Sequence, residues 1–238
     1  MLPDFAERSA QAELMDAGMT SFACFDESLR QIEAVNRLTL GYRPVLAWLE
    51  QQAAAAPAGL PLTVLDVGCG RGALLRAIWK RARRRNMDLR LQGVDINPWS
   101  KPAAEKSTSG YMRIDYRTAD VFAPALSQKP DFIINSHMTH HLKVAEVVRL
   151  LRLLDDRAAR GWFIMDLHRH PLPYLVAKCL LFLAPVNGMV RNDGPVSVTR
   201  GFTAAEWRAM LGKAGIPLSQ CKIQWFFPFR YGISRTKA

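Results

Sequence analysis

The stretch Leu65-Asp66-Val67-Gly68-Cys69-Gly70-Arg71-Gly72 decides the fold. It closes an apolar run that begins at Leu62 and opens a helical pattern reaching about Arg85, so it reads as a strand–turn–helix junction. The three glycines let the backbone turn tightly and let a ligand come close to the main chain. A dinucleotide site reads Gly-x-Gly-x-x-Gly, and here Ala73 takes the place of the last glycine. No Gly-Lys-Ser/Thr follows, which excludes a phosphate-binding P-loop. Taken alone, such a turn is equally compatible with a purely structural role.

Outward from this junction, short apolar runs alternate with helical patterns. Strands are expected at residues 89–94, ending at Asp95, then near 112–116, 131–135 and 162–165, with two last ones in 221–226 and 228–233. Helices are expected over 144–160 and from the capping box Thr203-Ala204-Ala205-Glu206 to Gly215. That alternation predicts an α/β fold whose mostly parallel sheet is covered on both faces. Residues 1–60 read as an N-terminal helical cap, with one helix capped by Asp26 and a second started by Pro44. The Ala/Pro/Gly-rich residues 53–59 link it to a main domain at 61–238. Residues 168–200 form an insertion whose apolar part, 174–186, is either a lid or an ordinary core helix.

Ligands of such sheets bind outside the carboxyl ends of the strands. Asp95, ending the second strand, suits the two hydroxyls of a ribose, and Asp120 after the third suits an adenine amino group. Asp66 can order the loop or meet the amino-acid part of a ligand. Three strand-end carboxylates around one glycine loop resemble the class I S-adenosylmethionine-dependent methyltransferases. Residues 65–72 look like that family's first motif, and Gly93-Val94-Asp95-Ile96-Asn97-Pro98 like its second. The resemblance covers about Leu62 to the C-terminus. It implies a Rossmann-like seven-stranded sheet with an antiparallel last strand, S-adenosylmethionine as cofactor and S-adenosylhomocysteine as product. Asp66, Gly68, Cys69, Gly70, Gly72, Asp95, Ile96, Asp120, Val121 and Asn135 would then hold the cofactor.

All five histidines fall in two clusters, His137, His140 and His141 after the fourth strand and His168 and His170 after the fifth. Both clusters belong to the carboxyl edge of the sheet, although any single imidazole there can be purely structural. A phenol acceptor must lose its proton, and imidazole has a suitable pKa. Asn135-Ser136-His137-Met138-Thr139-His140-His141-Leu142 resembles the His-His segment of small-molecule O-methyltransferases, which implies His141 as base and His140 as second choice. Asp166 is placed to orient an imidazole, and His168 joins the catalytic set. His137, Arg169, Tyr174 and Arg230 are expected to meet the acceptor, although either arginine can equally end in a surface ion pair. The His137-x-x-His140-His141 spacing also suits a metal ion, but no Glu-x-x-His or cysteine ligand accompanies it and methyl transfer needs no metal, so no metal site is expected.

Glu13-Leu14-Met15-Asp16, residues 36–44 and 166–174, and Asp193-Gly194-Pro195-Val196-Ser197 resemble a bacterial branch related to quinone-biosynthesis methyltransferases. Its members often accompany type III polyketide synthases and flavin monooxygenases, which implies a phenolic or quinoid polyketide acceptor. C-methylation of a quinol ring uses the same phenolate and is not separated from O-methylation. An Asn/Asp-Pro-Pro-Tyr segment and a Pro-Cys nucleophile, marks of nucleic-acid base methylation, are both missing.

Across 238 residues the net charge is +11, and 49% of residues are hydrophobic, which fits one globular domain and excludes wholesale disorder. Part of the excess is the run Lys80-Arg81-Ala82-Arg83-Arg84-Arg85, a solvated helix end or, less simply, an RNA contact. A cofactor-binding protein without activity would show a damaged loop, which is not seen. Four scattered cysteines, no secretory signal and no membrane-length apolar run lead us to expect a cytoplasmic protein. Peripheral membrane contact and a homodimer stay open.

Overall fold

The computed structural model describes residues 2–16, 21–57, 59–123 and 129–237; Ala58 of the expected linker lies outside them. Seven strands form one sheet in the order β3-β2-β1-β4-β5-β7-β6. They are β1 (Leu62–Val67), β2 (Leu89–Asp95), β3 (Ile114–Thr118), β4 (Phe132–Ser136), β5 (Gly161–Leu167), β6 (Cys221–Phe226) and β7 (Arg230–Thr236). β1 to β5 run parallel, and β7 is antiparallel to both β5 and β6. The chain order reverses between β1 and β4, the switch point at which open α/β sheets place their ligands.

Period-2 alternation sorts the strand side chains onto two faces. Leu65, Val67, Ile133, Trp162 and Ile164 pack with α5 (Val144–Arg157) and α8 (Ala204–Ala214), through Leu150, Leu154 and Trp207. Val64, Phe132, Ile134, Phe163 and Met165 meet α2 (Arg43–Ala55) and α3 (Ala73–Arg85), through Trp48, Leu49 and Ile78. α4 (Ser100–Ser107) lies between β2 and β3. The Thr203–Glu206 capping box forms as expected, and Gly215 ends α8 at φ +79.

Several expectations need correction. α1 (Phe22–Leu38) is capped by Ser21, whose side chain accepts from the Cys24 N–H; Asp26 lies inside the helix, where ion pairing outweighs its cap preference. β3 starts two residues late because Gly110–Met112 form a 3-10 turn. α5 stops at Arg157, three residues short of the expected end. The insertion holds two helices, α6 (Pro171–Leu183) and α7 (Gly188–Arg200). α6 is not a core helix: Leu181 is buried, but Leu180, Phe182 and Leu183 are exposed. The basic end of α3 braces α2, since Arg81 and Arg85 both pair with Glu50 at 2.6 and 2.8 Å. Arg83 covers the Trp79 ring. No helix among the described residues is long and apolar enough to cross a membrane.

Candidate active site

At the end of β1 the loop glycines take the left-handed conformation their residue type permits, with φ of +72, +50 and +74 at 68, 70 and 72. Two of them also lack room for a side chain. A Cβ at Gly68 would lie 2.5 Å from Met138 Sδ, and one at Gly72 2.3 Å from the Tyr116 hydroxyl. The loop is pinned from β2: the Gly70 N–H donates to Asp95 Oδ2 at 2.8 Å, and Asp95 Oδ1 accepts from the Asn97 N–H at 2.9 Å.

Asp66 is buried, and desolvation together with neighbouring Asp95 pushes its carboxyl well above the ordinary value. Asn135, which pairs with Val67 in the sheet, donates Nδ2–H to the Val67 carbonyl at 2.6 Å. Its Oδ1 is buried with no hydrogen-bond partner among the described residues. The buried Asp66 carboxyl and the unused Asn135 carbonyl, on adjacent strand ends, are both acceptors for an amino group. Ile96 is 70% exposed beside Asp95, an apolar surface for a flat ring. Val121 is half-buried, and Asp120 caps its own loop by accepting from the Phe122 N–H at 2.9 Å. Cys69 is buried and its thiol is held uncharged by burial.

α1 closes over this loop through contacts that no local pattern announces. Arg71 donates to Asp26 at 2.6 Å and to Glu33 at 3.2 Å; Lys106 and Arg76 complete the cluster at 2.8 and 2.6 Å. Arg71→Ala is expected to cost about 1–2 kcal/mol in urea unfolding, because Lys106 and Arg76 still neutralise the two acids and part of the cluster meets solvent. An unchanged midpoint would show that this clamp adds nothing to stability.

After β4 the chain turns through Thr139–His141, and the two adjacent imidazoles part company. His140 is buried, and its Nδ1 lies 2.6 Å from Asp166 Oδ1. Asp166, at the end of β5, also accepts from the His140 N–H and the Thr139 hydroxyl. His141 is partly exposed, and its Nδ1 lies 2.9 Å from Asp16 Oδ1. A carboxylate can only accept, so both rings carry hydrogen on Nδ1 and point Nε2 the other way. Both Nε2 atoms face Glu13, at 3.8 and 3.9 Å. Burial pushes the Glu13 carboxyl up to about 7. Arg200 of α7 ties the arrangement together, donating to the carbonyls of His140 and His141 and pairing with Asp16 at 3.1 Å.

The other expected residues divide. His137, at φ +55, accepts at Nε2 from Arg230 Nε at 3.1 Å and meets Ser136 Oγ through Nδ1 at 2.8 Å. Burial and the Arg230 charge lower its pKa to about 3, so it stays neutral. Arg230 also reaches the Thr39 hydroxyl at 2.7 Å, joining β7 to the end of α1. Tyr174 packs on Phe5 and lines a cavity of about 330 Å³ with Lys178, Phe182 and Arg191. Arg169 is neither an acceptor contact nor a surface ion pair. It is buried, and its five N–H groups are taken by the carbonyls of Phe5, Ala6 and Gly201 and both oxygens of Glu206. His168 stacks among His170, Phe229 and Tyr231, and His170 caps α6 by accepting from the Leu172 N–H.

A switch-point glycine loop backed by strand-end acids, in a sheet with an antiparallel β7, defines a class I S-adenosylmethionine-dependent methyltransferase. Residues 40–215 match the family described as a methyltransferase domain, and the chain belongs to that family. It is similar to the ubiquinone biosynthesis O-methyltransferase of Leptothrix cholodnii, 27% identical over 158 residues, which cover 64% of this chain and 60% of that protein. Among solved structures it resembles magnesium protoporphyrin IX methyltransferase from Synechocystis with bound S-adenosylhomocysteine, at TM-score 0.56 and 20% identity over 93% and 90% of the two chains. It also resembles a plantazolicin methyltransferase, at TM-score 0.63 and 14% identity over 88% and 90%. At these identities the structural likenesses speak to the fold alone.

Proposed function

We propose that this protein methylates a hydroxyl of a small aromatic acceptor, phenolic or quinoid and derived from a polyketide, in the cytoplasm. The observation that carries the reading is a cluster of carboxylate-backed imidazoles on the turn that follows β4, a turn whose Met138 packs against Gly68 of the glycine loop. S-adenosylmethionine supplies a methyl group already activated by a positive sulfur. Asp95 holds the ribose hydroxyls, Ile96 and Val121 flank the adenine with Asp120 at its amino group, and Asp66 and Asn135 take the amino-acid end. Gly68, Cys69, Gly70 and Gly72 give it close backbone approach.

The protein's own task is to align the acceptor, exclude water and remove the hydroxyl proton. His141 Nε2 takes that proton, because its Nδ1–H is anchored on Asp16 and the ring is reached from outside. The Asp166–His140 pair fixes the neighbouring ring. His137, locked neutral by Arg230, and Tyr174 line the acceptor's approach, while α1, α6 and α7 act as the lid. The name of the Leptothrix relative supports oxygen as the methylated atom.

Alkylated phenols and quinols, incubated with methyl-labelled cofactor, test the reading. The label is expected on oxygen by NMR of the product; label on a ring carbon would establish the rival C-methylation. His141→Ala is expected to keep cofactor affinity while turnover falls about a hundredfold, the scale of a lost general base. Full turnover in that variant removes His141 from the chemistry.

A further inference from the structure

We propose that Glu13, His140 and His141 form a binding site for a divalent transition-metal ion, with zinc the best match to the ligands. One carboxylate oxygen and two imidazole nitrogens from these residues lie within 4.8 Å of one another. In a tetrahedral zinc shell, bonds of about 2.0–2.1 Å put neighbouring ligand atoms roughly 3.3 Å apart. Glu13 Oε1 lies 3.8 Å from His140 Nε2 and Oε2 3.9 Å from His141 Nε2, so a rotation of the Glu13 carboxyl with small movements of the rings brings one oxygen and both nitrogens to that spacing.

The surroundings carry the argument further than the spacing. Metal-bound imidazoles characteristically donate their remaining ring N–H to a carboxylate, which fixes the tautomer and raises the basicity of the ligating nitrogen. Here both rings do so, His140 to Asp166 at 2.6 Å and His141 to Asp16 at 2.9 Å. Glu13 Oε1 is independent of that pattern: it is buried and has no hydrogen-bond partner among the described residues. Oε1 faces His140 Nε2 at 3.8 Å and the Arg200 guanidinium at 3.9 Å, neither within hydrogen-bond distance, so a metal cation is the group that would satisfy it. The carboxylates Glu13, Asp16 and Asp166 are balanced by the guanidiniums of Arg200, Arg8 and Arg230, so the ligand set rather than the net charge argues for the ion. Two histidines and one carboxylate leave a fourth position free for water or another oxygen ligand.

An ion there occupies the lone pair on His141 Nε2 that the proposed function gives to the acceptor's proton. Only this effect on turnover rests on that reading; binding does not. The test uses the full chain after chelator treatment. Zinc affinity is read by competition with a chromophoric chelator, and ligand type by the visible spectrum of the cobalt-loaded protein. We expect one equivalent bound, tetrahedral cobalt bands without thiolate charge transfer, and at least a tenfold loss of affinity in both Glu13→Gln and Asp16→Asn, the scale of second-sphere effects on metal sites. Glu13→Gln is nearly isosteric and keeps the test valid if histidine variants misfold. A folded wild type that binds no stoichiometric zinc overturns the proposal, as does affinity untouched in Glu13→Gln or a thiolate spectrum. Binding through these ligands that leaves turnover unchanged would keep the site and remove His141 as base. No binding, with turnover still lost in His141→Ala, would remove the site and keep the base.

Discussion

Asp95→Ala is expected to lower the affinity for S-adenosylhomocysteine several hundredfold in calorimetry. Two effects converge on this side chain. Asp95 holds the glycine loop from below, accepting from the Gly70 and Asn97 N–H groups at 2.8 and 2.9 Å. In the proposed complex it also accepts from the ribose hydroxyls, and hydrogen bonds to a charged group contribute about 1.5–3 kcal/mol each. Two such bonds amount to about 3–6 kcal/mol, and each 1.4 kcal/mol is a factor of ten in affinity. Asp95→Asn, which keeps one acceptor and the volume, should fall between wild type and the alanine variant. Loss of Asp95 also charges the comparison at Asp66, whose carboxyl is raised partly by this neighbour. Removing the negative charge lets Asp66 ionise more readily, which helps a cationic amino group and sets a ceiling on the loss. Affinity within a few-fold of wild type would place the ribose elsewhere.

The loop, its acids and the sheet were legible because each is written locally. Period-2 strands, glycines at a strand end and the Thr203–Glu206 box all sit within a few residues of one another. What closes the site was not. Glu13 and Asp16 belong to a segment with no helical or strand period, held by N–H bonds from Leu14 and Met15 to Asp193 of α7. Their partners stand more than a hundred residues away, at His140, His141 and Arg200, and no local spacing encodes such a pairing. The quoted likeness of residues 13–16 and 193–197 to one bacterial branch was a signal that these segments matter together, without saying that they touch. Asp26 misled for the opposite reason: a carboxylate early in a helix has a good local role as cap, and tertiary pairing with Arg71 took precedence. Arg169 misled because five convergent acceptors, gathered from three parts of the chain, leave no trace in sequence.

Asp166→Ala carries the second large effect, a loss of about 3–5 kcal/mol in folding stability at pH 7, because each buried donor left without its acceptor costs about 1–3 kcal/mol. The carboxylate is completely buried and accepts from the Thr139 hydroxyl, the His140 N–H and His140 Nδ1. Alanine leaves all three donors without an acceptor in a dry environment. The pH dependence identifies the carboxylate as the cause. Burial alone would raise the Asp166 pKa, but the facing imidazole and hydroxyl hold it well below the ordinary carboxylate value of 3.8. The folded state therefore binds this proton less readily than the unfolded chain. Its stabilisation is complete above the unfolded value and is lost as pH falls below it. Urea midpoints of wild type and Asp166→Ala should consequently differ most above about pH 5 and draw together progressively as pH falls below about 4, until it passes the depressed folded value. Curves that stay parallel from about pH 5 down through the acid range below about pH 4 would mean that the charge is not what the turn after β4 rests on. In that case His140 would be held by packing, and Asp166 would have no claim on the orientation of either imidazole.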